Sequence, residues 1–181
     1  MSQQYSSAVS SQFSRAPRQL AHIDLAARVF EILMETDLAP QRLELEITET
    51  TIIQDKQRTL NQLRRIQALG VTVALDDFGT GYSSLDTLRS FPFDKIKLDR
   101  SFMGELEHDP QATAIVRAVL ALGKSLDIPV LAEGVETDEQ LATLKREGCK
   151  EAQGFLLGRP GTVGDTVRRR ATSSKVASEA A

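Results

Sequence analysis

Apolar and polar positions along the chain follow two periods that take turns. From Leu20 onward, Leu25, Val29, Ile32 and Leu33 recur at helical spacing with Glu31 and Glu35 between them, and Pro40 closes the segment. This is the pattern of an amphipathic helix with one buried stripe. Arg42 to Thr48 then alternates Leu43, Leu45 and Ile47 with Glu44, Glu46 and Thr48, the period of a strand. Asp55 caps a predicted helix with Leu60, Leu63 and Ile66 on one face and Gly70 at its C-terminal end. Val71 to Leu75 follows as a strand. After the glycine- and serine-rich stretch Phe78 to Ser84, a short helix, Leu85 to Ser90, leads through Pro92 into a third strand, Asp94 to Leu98. Asp109-Pro110 opens a long helix carrying Ile115, Val116, Val119, Leu120 and Leu122, with proline well suited to the first helical position. Ile128 to Ala132 is a fourth strand. Thr137 and Gln140 form a capping box for a helix that turns Leu141 and Leu144 inward and stops at Gly148. A short strand around Lys150 to Ala152 comes last.

Strand and helix thus alternate about five times at intervals of roughly 20 to 35 residues, which implies a parallel sheet with right-handed crossovers. The placement of polar residues narrows the fold further. Glu46, Asp76, Asp77, Lys97, Glu133 and Gln153 all fall at or just beyond predicted strand C-termini, the catalytic face of a (β/α)8 barrel.

The adjacent carboxylates Asp76 and Asp77, at the end of a stiff strand and before a glycine-rich turn, have the chemistry of a divalent-metal site. On spacing alone, a solvated strand end with an acidic helix cap explains them equally well. Composition sets wider bounds. The 181 residues are 41% hydrophobic and 26% charged with a formal net charge of -3, ordinary for one soluble domain and unfavourable for a nucleic-acid polymer or anionic membrane as partner. Cys149 is the only cysteine, which excludes an intrachain disulfide or a cysteine zinc cluster. No apolar run approaches the roughly 20 residues of a membrane span, and the cytoplasm is the expected location.

Five stretches carry a family resemblance: LELEITET (43 to 50), LDDFGTGYSSL (75 to 85), DKIKLDRSF (94 to 102), LAEGVET (131 to 137) and QGFLLGRP (153 to 160). In this order and spacing the chain resembles the EAL domain family, the bacterial phosphodiesterases that cut cyclic di-GMP to the linear dinucleotide, over residues 16–160. Residues 1–15 then form a disordered or divergent arm, and 161–181 a helix end and flexible tail. The resemblance implies a (β/α)8 barrel with two Mg²⁺ or Mn²⁺ ions and a metal-activated water. Matched position by position, it implies Glu46, Asp76 and Glu133 as metal ligands, with Asp77 favouring the second metal. Lys97 falls near water and phosphate, Gln153 at a further site position, and Glu49 where the family tethers the loop that begins at Phe78. Glu136 matches a recurrent family glutamate, although helix capping accounts for its charge as well.

The departures from the family are equally specific. The E-A-L stretch that names it, whose glutamate is a metal ligand, does not occur before the first helix, and Ser14 falls where the family has an asparagine ligand. Serine is a shorter and weaker donor. A complete barrel takes about 250 residues, so the expected fold is an incomplete (β/α)8 TIM-like barrel lacking the first strands. Its open edges would be covered by a second copy or by another partner. Hydrolysis of cyclic di-GMP is expected to be impaired, the alternative being a non-catalytic nucleotide-binding or interaction module. His22 and His108 read as surface or capping residues and Cys149 as a small buried one. Arg168, Arg169 and Arg170 read as a solvated helix end.

Overall fold

A computed structural model describes residues 24–79, 85–106 and 108–159. The N-terminal arm, His22, Ser14, residues 80–84 of the glycine-rich stretch and the arginine run of the tail lie outside the described residues. In chain order the elements are α1 (Leu25–Thr36), a 3-10 turn (Pro40–Arg42), β1 (Glu44–Thr48), α2 (Glu49–Gln54), α3 (Lys56–Ala68) and β2 (Thr72–Phe78). They continue with α4 (Leu85–Ser90), β3 (Lys95–Leu98), α5 (Ser101–Glu105), α6 (Pro110–Leu126), β4 (Val130–Ala132), α7 (Asp138–Arg146) and β5 (Glu151–Ala152).

The local signals act as expected at the helix ends. Asp55 accepts a hydrogen bond from the Arg58 N–H, Asp109 accepts one from Gln111 N–H, and Thr137 with Gln140 closes a full capping box. Helix α1 ends earlier than Pro40: Asp37 takes a left-handed conformation, φ 51°, and stops it at Thr36. Two short helices depart from the sequence reading. The β-branched run in α2, Thr50 to Ile53, disfavours a helix intrinsically, but burial of Thr51 and Ile52 overrides that preference. Helix α5 is too short to display a period and is fixed by the fully buried Met103.

All strand pairs are parallel and the sheet order is β1-β2-β3-β4-β5. One sheet face, with Ile47, Val73, Leu75, Ile96, Leu98 and Ala132, packs under the helices and forms the core with Leu63, Ile66, Val116 and Leu144. Leu63, at 0% exposure, is central to it. A Leu63→Ala variant is expected to lose about 2–5 kcal/mol of stability, read as a lowered midpoint in chemical denaturation. An unchanged midpoint would contradict this packing.

The other sheet face is charged and staggered. By register Glu46 stands opposite Ala74, and Ala74 opposite Lys95. Yet the Lys95 ammonium pairs with Glu44, one side-chain row back on β1, and with Glu151, one row forward on β5. A barrel of eight strands and shear 8 advances its layers by about one residue per strand, so two rows over four strands is the stagger of such a barrel. The concave charged face is therefore its interior.

Candidate functional site

Three strands, and the residues just past two others, deliver the site. Lys97 on β3 is only 2% exposed, and its Nζ lies 2.7 Å from Glu46 Oε1, 2.8 Å from Glu133 Oε1 and 3.2 Å from Asp76 Oδ1. Glu46 comes from β1, Asp76 from β2, and Glu133 follows β4 directly. Gln153, just after β5, donates from Nε2 to Glu133 Oε1 at 2.6 Å. Three carboxylates singled out in the sequence thus meet around the Lys97 ammonium, with Gln153 held against one of them.

The aspartate pair owes its placement to an irregularity in β2. The strand does not end at Leu75 as the sequence pattern implies; it runs on to Phe78. Leu75 pairs with Ile96 and Phe78 with Leu98, leaving Asp76 and Asp77 opposite the single Lys97. Such a bulge lets neighbouring residues share a face, and Asp77 accommodates it with φ 55°. Burial raises the Asp77 carboxyl above its ordinary pKa, as do the charges of Asp76 and Asp99, while Lys97 opposes them. Asp99, one residue beyond β3, is a member of this cluster that the motif reading passed over. Its place at a strand C-terminus, two residues after Lys97, was the available signal.

One ammonium serves three carboxylates, and the charge states reflect that. Burial works against the Lys97 ammonium, but the hydrogen bonds it donates to Glu133 and Glu46, together with the charges of Glu133 and Asp76, outweigh it and hold its pKa well above the usual lysine range. Burial also raises Glu133; Lys97 pulls it down, and the charges of Asp76 and Glu46 push it further up. Asp76 Oδ1 is buried and faces the Lys97 ammonium at 3.2 Å as an ion pair, without a well-aligned hydrogen bond. Three hard carboxylate donors sharing one ammonium carry surplus negative charge, which fits a divalent cation in both charge and chemistry. Among the described residues no three of these side chains converge as direct ligands of one ion, consistent with the ammonium lying among them.

Glu49 is the first residue of α2 and is buried; the loop it is expected to hold includes residues 80–84, outside the described residues. His108 lines a surface cleft with Asp109 and Thr143, apart from the cluster. Cys149 is half-buried, donates to the Glu151 carbonyl at 3.2 Å, and has its thiol pKa pushed up by burial. No helix among the described residues is long and apolar enough to cross a membrane.

The sequence matches the EAL domain family over residues 1–160. The chain belongs to the EAL domain family. Over 145 aligned residues or thereabouts its curated relatives are much longer proteins, and the chain spans about a fifth of the length of the first of them. The Pseudomonas aeruginosa bifunctional diguanylate cyclase/cyclic di-GMP phosphodiesterase MucR is 47% identical over 142 residues, covering 78% of this chain and 21% of MucR. Among solved structures, the EAL domain of Mycobacterium smegmatis DcpA superposes with a TM-score of 0.80 at 43% identity, over 86% of this chain and 70% of that one. The manganese/cy-diGMP complex of Klebsiella pneumoniae BlrP1 at pH 9.0 gives 0.74 at 36% identity, over 80% and 37%. The five-stranded arc is therefore part of an EAL-type (β/α)8 barrel, as the sequence implied.

Proposed function

We propose that this EAL domain binds cyclic di-GMP together with divalent cations at the Lys97 cluster, and that the 181-residue chain alone turns the dinucleotide over poorly. The observation that carries the reading is the convergence of Glu46, Asp76 and Glu133 on Lys97, with Gln153 hydrogen-bonded to Glu133. Glu46, Asp76 and Glu133 would hold a first cation and Asp77 would favour a second, Mg²⁺ or Mn²⁺ by the hardness of the donors. When bound, two such ions supply neutralisation of phosphate charge and acidification of a water. The chain's own residues do the rest. Gln153 fixes the orientation of the Glu133 carboxylate, and Lys97 offers a permanent positive charge where the phosphodiester would lie. Glu49 would steady the loop after Gly79.

Impaired turnover follows from the ligand set. The 181 residues taken by themselves carry no E-A-L stretch ahead of α1 and have Ser14 at the expected asparagine, so these residues alone would stabilise transition-state charge less well. Strands β1 and β5 each pair on one side only among the described residues, and their free sides would accept further barrel strands or a second copy.

The test is a turnover assay on the purified chain with cyclic di-GMP and Mn²⁺ or Mg²⁺, beside Asp76→Ala and with calorimetric titration of the nucleotide. The expected result is binding that requires metal and Asp76, with little linear product. Efficient turnover that depends on Asp76 would overturn the impairment, and absence of both binding and turnover would overturn the reading of this cluster as a nucleotide site.

A further inference from the structure

Beneath the Lys97 cluster lies a second charged layer that nothing in the proposed chemistry uses. Lys95 Nζ lies 3.2 Å from Glu44 Oε2 and 3.4 Å from Glu151 Oε2, with the lysine and Glu44 side chains 17% and 13% exposed and Glu151 40%. The interior of a (β/α)8 barrel is ordinarily filled at such positions by branched aliphatic side chains. Charges there are costly to desolvate, and their best-attested use is to fix register.

The two layers repeat each other two residues apart. Glu44, Lys95 and Glu151 on β1, β3 and β5 correspond to Glu46, Lys97 and Gln153 on the same three chain segments. By register Ala74 and Leu131 lie on this face between them. Strand β5 has only two residues and two paired positions, Leu131 with Glu151 and Ala132 with Ala152. Just past the strand, Gln153 is tied through its N–H to the Ala132 carbonyl and through its carbonyl to the Val135 N–H, but no backbone bond of this pair reaches β3, around whose Lys97 Gln153 must be placed to meet Glu133. Glu151 is the one β5 side chain with an ion pair, and it reaches across β4 to the central strand.

We propose that Lys95 is a positioning residue: through Glu44 and Glu151 it locks β1 and β5 to β3, so that Glu46 and Gln153 stay at their places around Lys97. The Gln153 amide, which donates to the Ala132 carbonyl at 2.8 Å, reports that hold directly. The proposal rests on the cluster as the functional site, but its test does not need the site to be active.

Two variants of the full chain decide it. A Glu44→Leu/Lys95→Met/Glu151→Leu triple removes every charge of the layer together, an exchange that is often neutral or stabilising for the fold. Glu151→Gln removes only the partly exposed leg on β5. Hydrogen exchange at the Gln153 amide is measured by NMR, the unfolding midpoint by denaturant, and Mn²⁺ affinity by calorimetry. The expected result is faster Gln153 exchange in both variants at an unchanged or raised midpoint, and Mn²⁺ affinity weaker by about 10- to 100-fold in the triple, as for loss of residues that orient ligands. Wild-type protection of Gln153 in either folded variant overturns the proposal. Should the triple fail to fold, Glu151→Gln alone decides. Absence of Mn²⁺ binding by the wild type would sink the cation reading of the cluster, while the exchange rates still judge Lys95.

Discussion

Lys97→Met is expected to unfold about 3–5 kcal/mol more easily than the wild type, the cost of removing one partner from a buried ionic cluster. Methionine nearly matches lysine in length, so packing is kept while the charge is lost. Glu46, Glu133 and Asp76 would then face each other around an apolar side chain. Because the hydrogen-bonded ammonium keeps its proton far above neutrality, it is charged at any working pH and the loss is complete. The raised pKa of Glu133 shows which carboxyl has room to respond, and uptake of protons by the cluster would recover part of the cost as pH falls. Denaturant titration of both proteins at neutral pH in metal-free buffer measures the difference. Equal midpoints would mean that the cluster is more hydrated than its geometry implies. Reading the carboxylates as cation ligands adds a second expectation: Mn²⁺ raises the melting temperature of Lys97→Met more than that of the wild type, since the ion no longer competes with the ammonium.

Gly154→Ala is expected to cost about 3 kcal/mol through steric overlap. A Cβ at this position would collide with the Val135 backbone, meeting its N, C and O atoms together. Backbone cannot yield as a flexible side chain would. The neighbouring bonds, Val135 N–H to the Gln153 carbonyl at 3.0 Å and Leu156 N–H to the Val135 carbonyl at 3.1 Å, tie the same two segments. Relief of the clash must therefore move Gln153 away from Glu133. Thermal denaturation of the variant tests the cost, and a melting temperature equal to that of the wild type would contradict this close approach.

The sequence was most legible where a signal is local. The alternation of Leu43, Leu45 and Ile47 with charged residues located β1, and Asp55, Asp109 and Thr137 marked three helix starts through caps that form within a few residues. Glu46, Asp76, Lys97, Glu133 and Gln153 were legible as a group because parallel strands bring their C-terminal ends to one face. What stayed hidden depends on distant partners. Burial of Ile52 makes a helix of a β-branched run, and the bulge at the aspartate pair is visible only against β3. The meeting of Glu44, Lys95 and Glu151 requires the stagger of the whole sheet, which no window of sequence contains.

In a regular strand, loss of one residue turns everything after it to the wrong side. The β2 bulge inverts that rule. Leu75 and Phe78 face the helices with two aspartates between them instead of one, so a chain shortened by either aspartate would read Leu-Asp-Phe and keep every later side chain where it is. The second carboxylate is an insertion that the barrel carries without being reframed by it. An in-frame change of a single codon can add or remove it, altering the site's charge while leaving the scaffold's hydrophobic pattern intact.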